Sequence, residues 1–285
     1  WLEGPLNLWA TGENWTAAEH LPPLYVEAIR SARAKVEQNA GLGFESRGLF
    51  DAVKARAAEK RPTARVARLA QGAAPVIDGK LDDAAWQETP PLSPFIPMLA
   101  WRQEVQMATQ ARIRYDEAAL YVAFQCQEDR PHGLVARTAE NDDYFLLKDD
   151  HVQILIAAPG KDNATVIYRF VLNTKNVTYD ALCRENPDKK TRDRDPFVLD
   201  LKGFNSGWKC AAQVHADSWT AEAMIPWNAL KMPSPSPGAK LSLNLGRYRT
   251  QGLNGDRTFW SPVLEMQGDY LERMEPGLFG TVILD

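Results

Sequence analysis

From Pro62 to the end of the chain, turn-forming pieces recur so often that the polypeptide is divided into short alternating runs, and this spacing limits what it can fold into. The runs are Ala111–Tyr115, Leu120–Gln125, Val152–Ile156, Thr165–Leu172, Trp208–Val214, Thr220–Ile225, Leu241–Arg247 and Gly280–Leu284. Between them lie pieces such as Tyr115-Asp116-Glu117, Pro159-Gly160-Lys161-Asp162-Asn163, Phe204-Asn205-Ser206-Gly207 and Pro233-Ser234-Pro235-Ser236-Pro237-Gly238. Alternation with period two puts one face of each run in a core, and no helical pattern follows each run. The expectation is therefore an antiparallel β-sandwich, mainly β, rather than a doubly wound sheet.

The front of the chain is of another kind. From about Leu24 to Ala58 the apolar residues Leu24, Ile29, Val36, Leu49, Phe50 and Val53 are spaced helically among Ala, Glu, Arg and Lys, with Gly41 and Gly43 interrupting. That reads as two helices and a turn, stopped at Arg61-Pro62 because the residue before proline is steered from helical angles. Trp1, Trp9 and Trp15 precede it, and such rings need a surface to pack on. The expected division is a short helical N-terminal segment at 1–61, the tail of or connector to a preceding domain, and a sandwich at 62–285. A first residue of Trp1 rather than Met fits a mature form or a piece of a longer chain.

With 33 Lys+Arg against 37 Asp+Glu, the chain has no basic excess for a polyanion, so nucleic acid is not an expected partner. No stretch approaches the ~18 apolar residues of a membrane span. Cys126, Cys183 and Cys210 are too few and too scattered for a disulfide framework; they read as buried thiols, with a Cys126–Cys210 bridge open only if their strands face each other. The four histidines are far apart, and HExxH, GxSxG, CxxC and Gly-rich phosphate motifs do not occur. No carboxylate pair is singled out for glycoside hydrolysis.

Several strings occur in a fixed order: Val76-Ile77-Asp78-Gly79-Lys80-Leu81-Asp82-Asp83-Ala84-Ala85-Trp86; Arg114-Tyr115-Asp116 leading to Leu120-Tyr121-Val122-Ala123; Asp149-Asp150-His151-Val152-Gln153-Ile154; and Tyr168-Arg169-Phe170-Val171-Leu172-Asn173 with Tyr179-Asp180. Trp208 and Trp219-Thr220-Ala221-Glu222-Ala223-Met224-Ile225-Pro226-Trp227 follow, then Asn244 and Arg247, Trp260-Ser261-Pro262, and Pro276-Gly277-Leu278-Phe279-Gly280. Over residues 75–285 this series resembles the family 9 carbohydrate-binding modules and the wider DOMON-like sandwiches. Its strings are mainly architectural. Asp78-Gly79 suits a tight turn, Trp86 an apolar plug at one end of the sandwich, and Glu222 a structural partner for Arg247 or a loop amide.

The resemblance implies a non-catalytic module that binds poly- or oligosaccharide. It further implies an accessory domain of a larger secreted glycoside hydrolase, exported or periplasmic, with the catalytic domain preceding it in the same polypeptide. Family members that clamp a sugar between two tryptophans carry one just before the Asp149–Ile154 string and one shortly before the last strand; here those positions fall near Leu146-Leu147 and near Tyr270 to Arg273, and the glutamate of the family's string is Gln153. The candidate carbohydrate contacts are therefore Trp101, Arg102, Tyr144, Phe145, Arg247, Arg249, Trp260 and Tyr270, flat rings and hydrogen-bonding cations suited to a pyranose. The resemblance also implies structural calcium, for which Asp142, Asp143, Asp149 and Asp150 are the hard-oxygen candidates. Two other readings stand beside it: a module that braces a larger enzyme without binding a small ligand, and a haem-binding DOMON-like domain using His151, Met98 or Met107.

Overall fold

The alternating runs fold as strands. The computed structural model describes residues 55, 58–97, 105, 107–160, 164–187, 197–200, 204–251, 256–265, 272–273 and 275–285. The expected helices of 24–58, apart from a few residues at their end, together with Trp1, Trp9, Trp15, Met98, Trp101, Arg102 and Tyr270, lie outside the described residues.

In chain order the strands are β1 (Thr63–Val66), β2 (Ile96–Pro97), β3 (Thr109–Tyr115), β4 (Ala119–Gln127), β5 (His151–Pro159), β6 (Thr165–Asn173), β7 (Thr178–Glu185) and β8 (Phe197–Asp200). They continue with β9 (Lys209–Val214), β10 (Ser218–Pro226), β11 (Lys240–Arg249), β12 (Asp256–Phe259), β13 (Leu264–Glu265), β14 (Glu272–Arg273) and β15 (Gly280–Leu284), and a single helical turn α1 (Ala84–Gln87) precedes β2. Among the described residues, the larger sheet runs β1-β15-β11-β5-β6-β7-β8, with β12 against β11 and β2 against β12; the smaller runs β3-β4-β10-β9. The pairs within these sheets are antiparallel except β1 with β15, where Thr63 lies opposite Thr281 and Val66 opposite Leu284.

The sheets pack face to face. Ile113, Val122, Phe124, Trp219 and Ile225 of the smaller sheet share one core with Val152, Ile154, Ile156, Phe170, Leu243 and Leu245 of the larger. Fully burying each such side chain is worth about 1.5–3 kcal/mol, which makes this shared layer the main source of stability. Cys126 and Cys210 are both free thiols and lie on β4 and β9, separated by β10, so they are not on facing strands and form no bridge.

At one end, two cations of β11 cross from sheet to sheet. Arg249 forks onto Glu128, with Nε 2.9 Å from Oε2 and Nη2 2.8 Å from Oε1, and Arg247 Nη2 lies 3.1 Å from the same Oε2. Glu128 immediately follows β4, and both arginines extend the inward-facing row of Leu241, Leu243 and Leu245, so this is a buried inter-sheet clasp.

The outer face of the smaller sheet is covered by the Ile77–Trp86 segment. Trp86 does not plug an end of the sandwich; it packs with Leu69, Ala85, Tyr121 and Ala123 on that face. Glu222, fully buried on β10, accepts from the backbone N–H of Asp78 (3.0 Å) and Gly79 (2.6 Å) and from Trp86 Nε1 (2.6 Å). The loop-amide role expected of Glu222 is thus seen, while Arg247 goes elsewhere. Gly79 has φ +89°, and a Cβ there would stand 2.9 Å from Gln213 Cγ, so the turn requires glycine twice over.

Candidate functional site

In β5, Val152, Ile154 and Ile156 point into the core, so His151, Gln153 and Leu155 stand on the outer face of the larger sheet. The register extends that face sideways. One row across the strands reads Arg257, Tyr248, His151, Asn173; the next reads Phe259, Gly246, Gln153, Val171, Tyr179; the third carries Leu155, Arg169 and Ala181. Polar side chains thus collect on one patch of an otherwise apolar sheet. Gly246 at its centre keeps the patch level, since a Cβ there would fall 2.5 Å from the Phe259 ring and 3.0 Å from Gln153 Cγ.

The patch is buried and only partly satisfied. His151 is 2% exposed; its Nδ1 lies 2.8 Å from the Asp149 carbonyl, which can only accept, so Nδ1 carries the proton and Nε2 is left as an acceptor. Nε2 has no hydrogen-bond partner among the described residues, and neither has the Tyr179 hydroxyl. Burial pushes the His151 pKa down to about 3 and the Tyr179 hydroxyl up to about 12, so both groups are neutral throughout the ordinary pH range. The His151 ring tilts against Tyr248 at 5.4 Å, and the Arg257 guanidinium carbon sits 4.5 Å from the centre of the Tyr248 ring. Native proteins rarely leave buried polar atoms unpaired, and such atoms together on one face suit a hydroxylated ligand.

A 3₁₀ turn, Tyr144–Lys148, edges this patch immediately before β5. Leu146 and Leu147 anchor it on Val171, Tyr179 and Ala181, and Asp143 caps it by accepting from Phe145 N. The anchoring leaves Tyr144 39% and Phe145 69% exposed, with the Tyr144 ring edge-on to Tyr179 at 6.3 Å. Two of the sequence-expected sugar contacts, Tyr144 and Phe145, therefore come together beside the patch.

Others do not join them. Arg247 and Arg249, expected to bond a sugar, are spent on the Glu128 clasp on the core side of β11. Trp260, expected on the same platform, is 6% exposed and belongs to the sandwich core. The residues that reasoning from sequence missed as sugar contacts are His151, Arg169 and Tyr179, face-mates of Gln153 and Tyr248. Their signal was polar residues at every second position inside otherwise apolar strands, a pattern legible only when the strand is known to be buried on both faces.

The acidic quartet does not form a calcium cage. Asp149 accepts from Arg137 N (2.9 Å), Thr138 N (3.0 Å) and Asn173 Nδ2 (3.1 Å), and Asp150 from Thr250 N (2.8 Å) and Thr250 Oγ1 (2.7 Å), and from Val135 N. Asp143 is engaged as a cap and Asp142 turns with φ +62° toward the Asp180 amide. A metal would have to compete for the Asp149 and Asp150 oxygens with backbone and side-chain donors already bound to them. Among the described residues no group of three or more His, Cys, Asp or Glu is placed to hold a metal. Chelation with EDTA is accordingly expected to leave the melting temperature unchanged by differential scanning calorimetry; a fall of several degrees would show that these carboxylates do bind a cation.

Among the described residues no helix is long and apolar enough to cross a membrane. Comparison with protein families matches residues 77–285 to the family described as carbohydrate family 9 binding domain-like. No curated protein matches the chain. Among solved structures, a family 9 carbohydrate-binding module from Caldicellulosiruptor kristjanssonii, in complex with glucose, is similar at 17% identity over 78% of this chain and 95% of that one, with a TM-score of 0.51. A protein of Bacteroides uniformis described as a candidate carbohydrate-binding protein is similar at 14% identity over 79% of this chain and 100% of that one, with a TM-score of 0.58. At these identities the likeness is one of fold.

Proposed function

The chain belongs to the carbohydrate family 9 binding domain-like family, and from that premise we propose that it is a non-catalytic carbohydrate-binding module whose sugar lies on the outer face of the larger sheet, against the Tyr144–Lys148 turn. The observation that carries this reading is the pair of buried, unpartnered polar atoms, His151 Nε2 and Tyr179 Oη, on one face beside exposed aromatic rings. A pyranose has an apolar C–H face for Tyr144 or Phe145 and hydroxyls for its edge. His151 Nε2 accepts a hydroxyl proton, Tyr179 Oη donates or accepts, and Gln153 and Arg169 lie within the same patch. Trp101, Arg102 and Tyr270, the other sequence candidates for sugar contact, lie outside the described residues. That the solved module from Caldicellulosiruptor kristjanssonii holds glucose supports starting with glucans.

Such a module raises the local concentration of an attached enzyme on its substrate, so the reading extends to an accessory domain of a glycoside hydrolase acting outside the cytoplasm. The test is a glycan array followed by calorimetry on the wild type, Tyr144→Ala and Trp101→Ala. The expected result is binding to at least one glycan, weakened about 10-fold or more by Tyr144→Ala, the order of one lost aromatic stacking contact. Absence of binding to every glycan on the array would overturn it.

A further inference from the structure

The Tyr144–Lys148 turn has a second side. Between it and the segment 135–140 runs a groove of ≈ 480 Å³, within the ~300–1,000 Å³ of small-molecule sites and large enough for about one or two pyranose rings. Its floor is rigid: the Asp149 carboxylate holds the Arg137 and Thr138 amides, and Asp150 N donates to the Val135 carbonyl at 2.7 Å. Those bonds fix backbone on both walls before any ligand arrives, which lowers the ordering cost of binding.

The side chains on the rim are differently placed. Phe145 forms one wall with most of its ring in solvent, an uncommon cost for a large apolar group. Arg137, Lys148 and Glu140 line the same groove, are exposed, and have no hydrogen-bond or ion-pair partner among the described residues. Two cations, Arg137 and Lys148, stand among three carboxylates, Glu140, the capping Asp143 and the amide-bound Asp149, so the groove has no excess of either sign large enough to select a polyanion or a polycation. An apolar ring with both donors and acceptors around it and little net charge matches a neutral, polyhydroxylated ligand.

We propose that this groove is a second saccharide subsite, joined to the outer-face site across Phe145, so that the module reads at least two consecutive sugar units. The inference rests on the carbohydrate reading of the outer face and adds to it the length of the ligand. Sugar in the groove stacks on Phe145 while Arg137 and Lys148 donate to its hydroxyls and Glu140 accepts from them.

Calorimetry on the whole chain with glucose and cellotriose, xylose and xylotriose, and mannose and mannotriose tests it. In the series that binds, the trisaccharide is expected to bind at least 10-fold tighter than the monosaccharide. Arg137→Ala/Lys148→Ala should remove most of that gain, whereas Tyr179→Phe, on the outer face, should weaken both ligands alike. A trisaccharide that binds no tighter than its monosaccharide, or a gain that survives the double variant, overturns the second subsite and leaves the first in place. No binding in any of the three series, together with none on the glycan array, removes the carbohydrate reading itself, and the groove with it. Circular dichroism checks that both variants are folded, as surface substitutions in the groove should be.

Discussion

Replacing Glu128 with alanine is expected to destabilise the protein by about 3–5 kcal/mol, lowering the melting temperature by on the order of 10 °C, because it leaves the Arg247 guanidinium buried without a counter-charge and Arg249 with only Asp129 at 2.7 Å and Asp256 at 3.6 Å. The size comes from the stranded cations, not from any large net worth of the pair. Replacing all three residues together with apolar ones of similar volume should therefore recover much of the loss. Calorimetric unfolding of both variants checks this, and a Glu128→Ala variant as stable as wild type would show that solvent reaches the clasp. The clasp also has a pH signature. Burial alone would raise the Glu128 pKa, but the Arg249 hydrogen bond, the Arg130 amide and the Arg249 charge outweigh it, and the carboxyl titrates below its ordinary value. A folded pKa below the unfolded one means stability that is present above about pH 4.5 and lost as pH falls through the folded value. That acid loss should be shallower in Glu128→Gln.

The second large effect belongs to Glu222. Its two oxygens hold three donors from a segment more than a hundred residues away, and alanine would leave the Asp78 and Gly79 amides and the Trp86 indole without acceptors. At about 1–3 kcal/mol for each buried group left unmade, partly offset by water entering the gap, the cost is expected to be about 3–5 kcal/mol. Glutamine discriminates the mechanism. Its single oxygen can still take the two amides, but its NH₂ would meet the Trp86 N–H, donor against donor, so roughly half the loss should remain. Limited proteolysis would read the same change as earlier cleavage within 70–83, as the segment lifts from the smaller sheet. Equal stability of all three proteins would mean that Trp86 packing alone holds the segment down.

The fold was legible because its signals are local. Each alternating run lies within a strand or one residue of it, the Asp78-Gly79 turn has its positive φ, and the order of the strings fixed the family. What was less legible depends on pairing. β12, Asp-Arg-Thr-Phe, is polar in composition and becomes a strand because β11 accepts it on one side and β2 on the other. β7 was seen only as a Tyr-Asp motif, since Asp180 and Arg184 obscure an apolar face that β6 and the Leu146-Leu147 anchor bury. The same limit explains the site. Tyr144 and Phe145 could be picked out as aromatic residues among polar ones, but Arg247 and Arg249 were assigned to sugar because no sequence rule reveals that Glu128, more than a hundred residues earlier, waits on the facing sheet. Asp149 and Asp150 resembled metal ligands for a related reason: a carboxylate that holds backbone amides and one that holds a cation are written with the same letter.

The parallel pairing of β1 with β15 has a mechanical consequence. Tension entering through β1 and leaving through β15 pulls two side-by-side strands in opposite directions along their length, so their bonds are loaded together rather than one at a time. Thr281 N to the Pro62 carbonyl and Asp285 N to the Val66 carbonyl, each 2.9 Å, bracket that seam, and an Arg65–Asp285 ion pair lies across it. Strands joined in that shear arrangement resist extension far better than a hairpin that unzips from its end. Pulled from those two strands, a sandwich built this way would hold its shape, because its rupture is set by the rate at which the whole seam fails.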